Sequence, residues 1–126
     1  MACILVVDDH LPTRELLRAL FEYHGHRVLL AADGPEALVL AGTDAPDLVF
    51  ADIVMPAMDG FSFVQLLRAH THCTTAPVVM MSASLLADKA ARLAKNSGAI
   101  DYIAKPFEPE AVLAKAQALL GAQQAA

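Results

Sequence analysis

Short, nearly unbroken apolar runs alternate along the chain with stretches whose apolar residues recur every three or four positions. Short apolar runs read as strands buried on both faces, and the longer periodic stretches read as helices packed against them. Cys3–Val7 is the first such run. Leu16, Leu17, Leu20 and Phe21 then follow at helical spacing over residues 12–24, with Pro12 suited to a first turn and Gly25 to the position just past the end. Arg27–Ala31 predicts a second strand. Asp33-Gly34-Pro35-Glu36 opens a helix that Ala37, Leu38 and Ala41 carry to Gly42.

The same alternation continues to the end. A strand is predicted over 47–51, stopping against Asp52, then a loop through Asp59 and a helix to about residue 70. A fourth strand is predicted over 77–81, a helix over 85–96 that stops at Gly98, and a fifth strand over 100–104. Glu108-Pro109-Glu110 opens a last helix ending near Gly121, which leaves residues 122–126 as a frayed tail or the start of a linker. Five strand–helix pairs imply a parallel sheet with right-handed crossovers and helices on both faces. Such sheets carry their sites at the carboxyl ends of the strands.

Composition narrows the function classes. The 126 residues suit one domain, and 56% hydrophobic content supplies a real core. A formal charge of −5 argues against a general nucleic-acid-binding surface. No apolar stretch reaches the ~18 residues of a membrane span. The opening Met-Ala-Cys-Ile-Leu-Val-Val-Asp-Asp lacks the basic region and long apolar segment of a signal peptide. A cytoplasmic protein is expected, with Cys3 and Cys73 reduced. His24-Gly25-His26 and His70-Thr71-His72-Cys73 lack a standard four-ligand zinc spacing, and read as helix-end residues.

The candidate chemistry lies after the strands. Asp8-Asp9 follow the first, Asp52 the third, Ser82 the fourth and Lys105-Pro106 the fifth. A parallel sheet brings them to one edge. Three carboxylates so placed repel one another unless one is protonated or a cation neutralises them. A hard divalent ion such as Mg²⁺ fits an oxygen donor set, and Lys105 and Ser82 suit the oxygens of a phosphoryl group. A carboxylate can itself be the nucleophile that takes up that group. Asp52, between the acidic pair and the Ser/Lys side, is the best candidate.

Four stretches in order carry a family likeness: Ile4-Leu5-Val6-Val7-Asp8-Asp9; Asp52-Ile53-Val54-Met55-Pro56-Ala57-Met58-Asp59-Gly60; Met81-Ser82-Ala83; and Gly98-Ala99-Ile100-Asp101-Tyr102-Ile103-Ala104-Lys105-Pro106-Phe107. With them the chain resembles the receiver domains of two-component response regulators. The resemblance implies a doubly wound, flavodoxin-like α/β fold of strand order 2-1-3-4-5, with the receiver over 1–121. It implies that Asp52 accepts a phosphoryl group from a phosphohistidine on a sensor histidine kinase or histidine phosphotransfer protein. Asp8, Asp9, Asp52 and the backbone carbonyl of Val54 would hold Mg²⁺. Lys105 would contact the phosphoryl group, Ser82 would move to bond it, and Tyr102 would be the switch aromatic, alternatively plain packing. A cis Lys105–Pro106 peptide is also implied.

The outcome would be altered binding to a downstream protein or a covalently linked output domain. Homodimerisation through the face of the 85–96 helix and the last helix occurs in the family. Such a domain catalyses only its own phosphoryl transfer and dephosphorylation. Two readings compete. A phosphatase with an Asp nucleophile usually carries a second acid two residues on, where this chain has Val54. A degenerate receiver that binds partners without phosphorylation would be expected to lack part of the acidic, Ser or Lys set.

Overall fold

The computed structural model describes residues 2–70, 76–83 and 101–125. Its elements are β1 (Cys3–Val7), α1 (Leu11–Tyr23), β2 (Arg27–Ala31), α2 (Gly34–Asp44), β3 (Leu48–Asp52), α3 (Gly60–His70), β4 (Val78–Ala83), β5 (Asp101–Lys105) and α4 (Pro109–Ala125). The helix expected over 85–96, the first residue of the fifth predicted strand, His72 and Cys73 lie outside the described residues.

The five strands pair in parallel in the order β2-β1-β3-β4-β5. Strand alternation splits the core in two. Ile4, Val6, Leu48, Phe50, Val79, Met81 and Ile103 face α1 and α4, and meet Leu17, Phe21, Val112 and Ala116. Leu5, Val7, Val49, Ala51, Val78 and Met80 face α2 and α3, and meet Ala37, Ala41, Phe63, Val64 and Leu67. The central strands β1 and β3 are buried on both faces, which is why they appear in the sequence as unbroken apolar runs.

Local chemistry fixes the helix ends. Asp33 caps α2 by accepting from the Glu36 amide at 2.8 Å, while the Glu36 carboxylate accepts from the Ala32 amide at 3.4 Å. Gly25, at φ 85, takes the left-handed turn beyond α1. Asp59 caps α3 through the Ser62 amide at 2.8 Å.

Two expected stops are overrun. Helix α2 passes Gly42 and ends at Asp44, with Ala45 left-handed at φ 43. Helix α4 passes Gly121 and runs to Ala125, so the tail expected over 122–126 is helical as far as it is described. A single interior glycine costs only about 1 kcal/mol, and the Ala-Gln-Gln-Ala that follows Gly121 favours helix. No described helix is long and apolar enough to cross a membrane.

Candidate functional site at the carboxyl edge of the sheet

The strand order reverses direction between β1 and β3, and the crevice of a doubly wound sheet opens at that point. Val7 is level with Ala51, so Asp8 and Asp52 stand side by side across it. Asp52 is level with Met81, and Met81 with Ile103. Lys105 therefore starts two residues beyond the carboxylates, and its long stem spans the gap. Its Nζ donates to Asp8 Oδ2 at 2.5 Å and to Asp52 Oδ2 at 3.0 Å. The Lys105–Pro106 peptide is cis.

Asp8, Asp9 and Asp52 each offer a carboxylate oxygen within 4.8 Å of the others. Among the described residues this is the one group of three or more His, Cys, Asp or Glu side chains so arranged. His24 and His26 sit at the opposite end of the strands, where His24 Nδ1 lies 3.0 Å from the Leu20 carbonyl and His26 Nδ1 accepts from the Ala2 amide at 3.3 Å. Asp8 and Asp52 are buried, whereas Asp9 is exposed. A cluster of three carboxylates, two of them buried, offset among the described residues by one ammonium suits a hard divalent cation with oxygen ligands. The donor set thus fits Mg²⁺. Val54 is 68% exposed, and its amide donates to Asp52 Oδ1 at 3.3 Å.

Burial raises the Asp52 carboxyl above its ordinary value of 3.8, and the Asp8 charge adds to this, against the opposing pull of Lys105 and the Val54 amide. A raised value means that the fold holds the proton more tightly than the unfolded chain does. In cation-free buffer the protein should lose stability as pH rises from 3.8 through the raised value. Asp52→Asn removes that loss. It should be more stable than wild type at neutral pH, with the difference closing in acid; urea unfolding across the pH range with chelator present measures this, and parallel profiles would contradict it.

The remaining residues lie on the other face. Ser82 is level with Ala104 and Tyr102 with Met80, so Ser82 and Tyr102 share the face toward α2 and α3. The Ser82 hydroxyl is buried, with no hydrogen-bond partner among the described residues. An unpaired buried hydroxyl costs about 1–3 kcal/mol, and an added acceptor would relieve that cost. Tyr102 is half-buried against the α2/α3 core.

Two features have little signal in the sequence. Arg14 Nη1 donates to the Asp8 carbonyl at 2.7 Å. Gly60 lies so close under Asp52 that a Cβ there would stand 2.5 Å from the Asp52 carbonyl oxygen and 2.5 Å from the Met80 methyl. Only the Asp59-Gly60 pair, a helix-start signal, hinted at the second.

Comparison with known proteins gives one consistent answer. The family model for the response regulator receiver domain matches residues 4–117. The response regulator MprA of Mycolicibacterium vanbaalenii is 41% identical over 117 residues, covering 93% of this chain and 49% of that protein. Protein PilH of Pseudomonas aeruginosa is 37% identical over 121 residues, covering 95% of this chain and 98% of that one. The chain thus spans about half of MprA and nearly all of PilH. Among solved structures, the chemotaxis response regulator CheY4 of Vibrio cholerae superposes with a TM-score of 0.88 at 34% identity, covering 94% of this chain and 98% of that chain.

Proposed function

Since the chain belongs to the response regulator receiver domain family, we propose that it accepts a phosphoryl group on Asp52 with Mg²⁺ and thereby changes what it binds. The observation that carries this reading is the sharing of Lys105 between Asp8 and Asp52 inside a cluster of three carboxylates. In the reaction an Asp52 carboxylate oxygen attacks phosphorus, a P–O bond forms, and the P–N bond of a donor phosphohistidine breaks. The departing imidazole nitrogen takes the electron pair and then a proton.

This chain's residues have distinct parts in that step. Asp8, Asp9, Asp52 and the Val54 carbonyl would hold Mg²⁺, which would neutralise charge on the phosphoryl oxygens. Lys105 leaves its carboxylate partners for a phosphoryl oxygen. Ser82, buried and without a partner among the described residues, gains an acceptor when it turns to the same group. Its displacement frees room on the face it shares with Tyr102, whose inward turn reshapes the surface around β5 and α4. This is a population shift driven by about −1.5 to −2 of added charge. Ser82 lacks the β-branch of threonine, so its rotamer is less fixed and the shift less tightly coupled.

The donor is a sensor histidine kinase or histidine phosphotransfer protein in the cytoplasm. The receiver extends over 1–121, and the reshaped surface serves a downstream protein, an output domain or a second copy. Phosphorylation-independent binding alone would not call for a complete set of Asp8, Asp9, Asp52, Ser82 and Lys105.

Acetyl phosphate or beryllofluoride with Mg²⁺ tests the reading. Wild type should gain a phosphoryl mass, or show beryllofluoride-induced shifts spread from Asp52 to Tyr102. Asp52→Asn should lose at least about a hundredfold in acceptance, as expected when the attacking group itself is removed. An equal response from both proteins would sink the proposal.

A further inference from the structure

The Asp8-Asp9 turn holds its two carboxylates by different means. Asp8 is fully buried and gripped throughout. Its amide donates to the Ala31 carbonyl at 3.0 Å, its Oδ1 accepts from the His10 amide at 2.8 Å, its Oδ2 accepts from Lys105, and its carbonyl accepts from Arg14. Asp9 is exposed, and its side chain makes no hydrogen bond or ion pair among the described residues. Its carboxylate nevertheless lies in the acidic cluster. With nothing gripping the side chain, its direction is set by the backbone that carries it.

That backbone is the peptide between Asp8 and Asp9, and the side chain gripping it is Arg14. The helix that carries Arg14 is itself firmly mounted. The Arg14 amide bonds to the His10 carbonyl at 3.2 Å, and α1 is seated on the sheet through Leu17 and Phe21. We propose that Arg14 is a positioning residue for the divalent-cation site: by locking the Asp8 carbonyl it aims the free carboxylate of Asp9 at the cluster. The inference rests on the Mg²⁺-dependent reading given above. Outer partners of metal ligands act in this way, and losing one typically weakens metal affinity about 10–100-fold.

Charge makes the proposal easy to test, because the two effects of Arg14 have opposite signs. A cation beside a cation site weakens binding, so removing the charge alone should tighten it. Removing the positioning contact should weaken it. Mg²⁺ binding to the full chain, by titration calorimetry in chelator-treated buffer, reads the difference. Arg14→Met should bind Mg²⁺ about tenfold more weakly than wild type while its cation-free thermal midpoint stays close to wild type. Arg14→Lys, which keeps the charge and a donor, should recover part of the affinity.

If Arg14→Met fails to fold, Arg14→Gln decides, since its shorter stem cannot reach the carbonyl. Weaker binding supports the proposal, and wild-type affinity overturns it. Equal or tighter binding by a folded Arg14→Met likewise overturns it, with the receiver reading intact. Wild type that binds no Mg²⁺ overturns both.

Discussion

Lys105→Met should destabilise the cation-free protein by about 2–3 kcal/mol at neutral pH and, at the same time, bind Mg²⁺ about tenfold more tightly. Both effects follow from one contact set. Lys105 supplies the ammonium that faces Asp8 and Asp52, whose side chains are 0% and 12% exposed. Truncation leaves two buried carboxylates without it. Breaking a fully buried pair costs about 3–5 kcal/mol, but Lys105 is itself 24% exposed and water will screen part of the loss, which sets the lower range. A divalent cation entering the variant no longer competes with the charge and the hydrogen bonds of Lys105. Mg²⁺ should therefore restore much of the lost stability.

The pH dependence of this effect has a definite sign. Burial alone would lower the Lys105 value, but its hydrogen bonds to Asp8 and Asp52 and their charges outweigh it, so the ammonium is held above its ordinary 10.5. A raised lysine stabilises the fold fully below 10.5, and that contribution is lost as pH rises through the raised value. The gap between wild type and Lys105→Met should thus hold through neutral pH, close in alkali, and close again in acid as the carboxylates protonate. Urea unfolding with chelator and with excess Mg²⁺ reads all of this. Equal stability of the two proteins in chelator would show that the ion pairs contribute nothing.

Gly60→Ala should have the second large effect, through sterics rather than charge. The added methyl would lie 2.5 Å from the Asp52 carbonyl, 2.5 Å from the Met80 methyl and 2.9 Å from the Ile53 Cα. The Met80 methyl can swing aside, whereas the two backbone atoms cannot. Helix α3 must then retreat from the end of β3, breaking the Gly60 amide bond to the Ile53 carbonyl at 2.8 Å. Overpacking of this kind costs about 1–3 kcal/mol. Acceptance of phosphate should fall more sharply, by about a hundredfold, because Asp52 itself is displaced. Comparing the stability loss with the rate of acetyl phosphate-driven modification separates the two. A variant as reactive as wild type would show that α3 moves without carrying Asp52.

Much of this was legible in the chain, and the misses have physical causes. Cys3–Val7 and Arg27–Ala31 stand where the hydrophobic pattern puts them, because Asp8 closes the first run and Gly25-His26 opens onto the second. The later strands run one or two residues further than their apolar runs. Asp52, Ser82 and Lys105 are polar and look like strand ends, yet each sits in the ladder, opposite Met81, Ala104 and Ala83 respectively. The convergence of Asp8, Asp52 and Lys105 could be read from parallel topology alone. The grip of Arg14 on the Asp8 carbonyl could not, since a side chain reaching a backbone oxygen leaves no periodic signal. The need for glycine at position 60 depends on how closely α3 approaches β3, which is a packing outcome rather than a local preference.

The ion pair between Lys105 and Asp8 joins residues 97 apart in the chain, and the one to Asp52 joins residues 53 apart. The site is therefore completed only once β5 has been made. A chain translated only as far as β4 already carries Asp8, Asp9, Asp52 and Ser82, but not yet the ammonium. Until β5 pairs along β4, the would-be acceptor is a cluster of mutually repelling acids. On the proposed reading, acceptance of a phosphoryl group is thus tied to completion of the sheet, and a chain that stops short of β5 lacks the ammonium that offsets its acids.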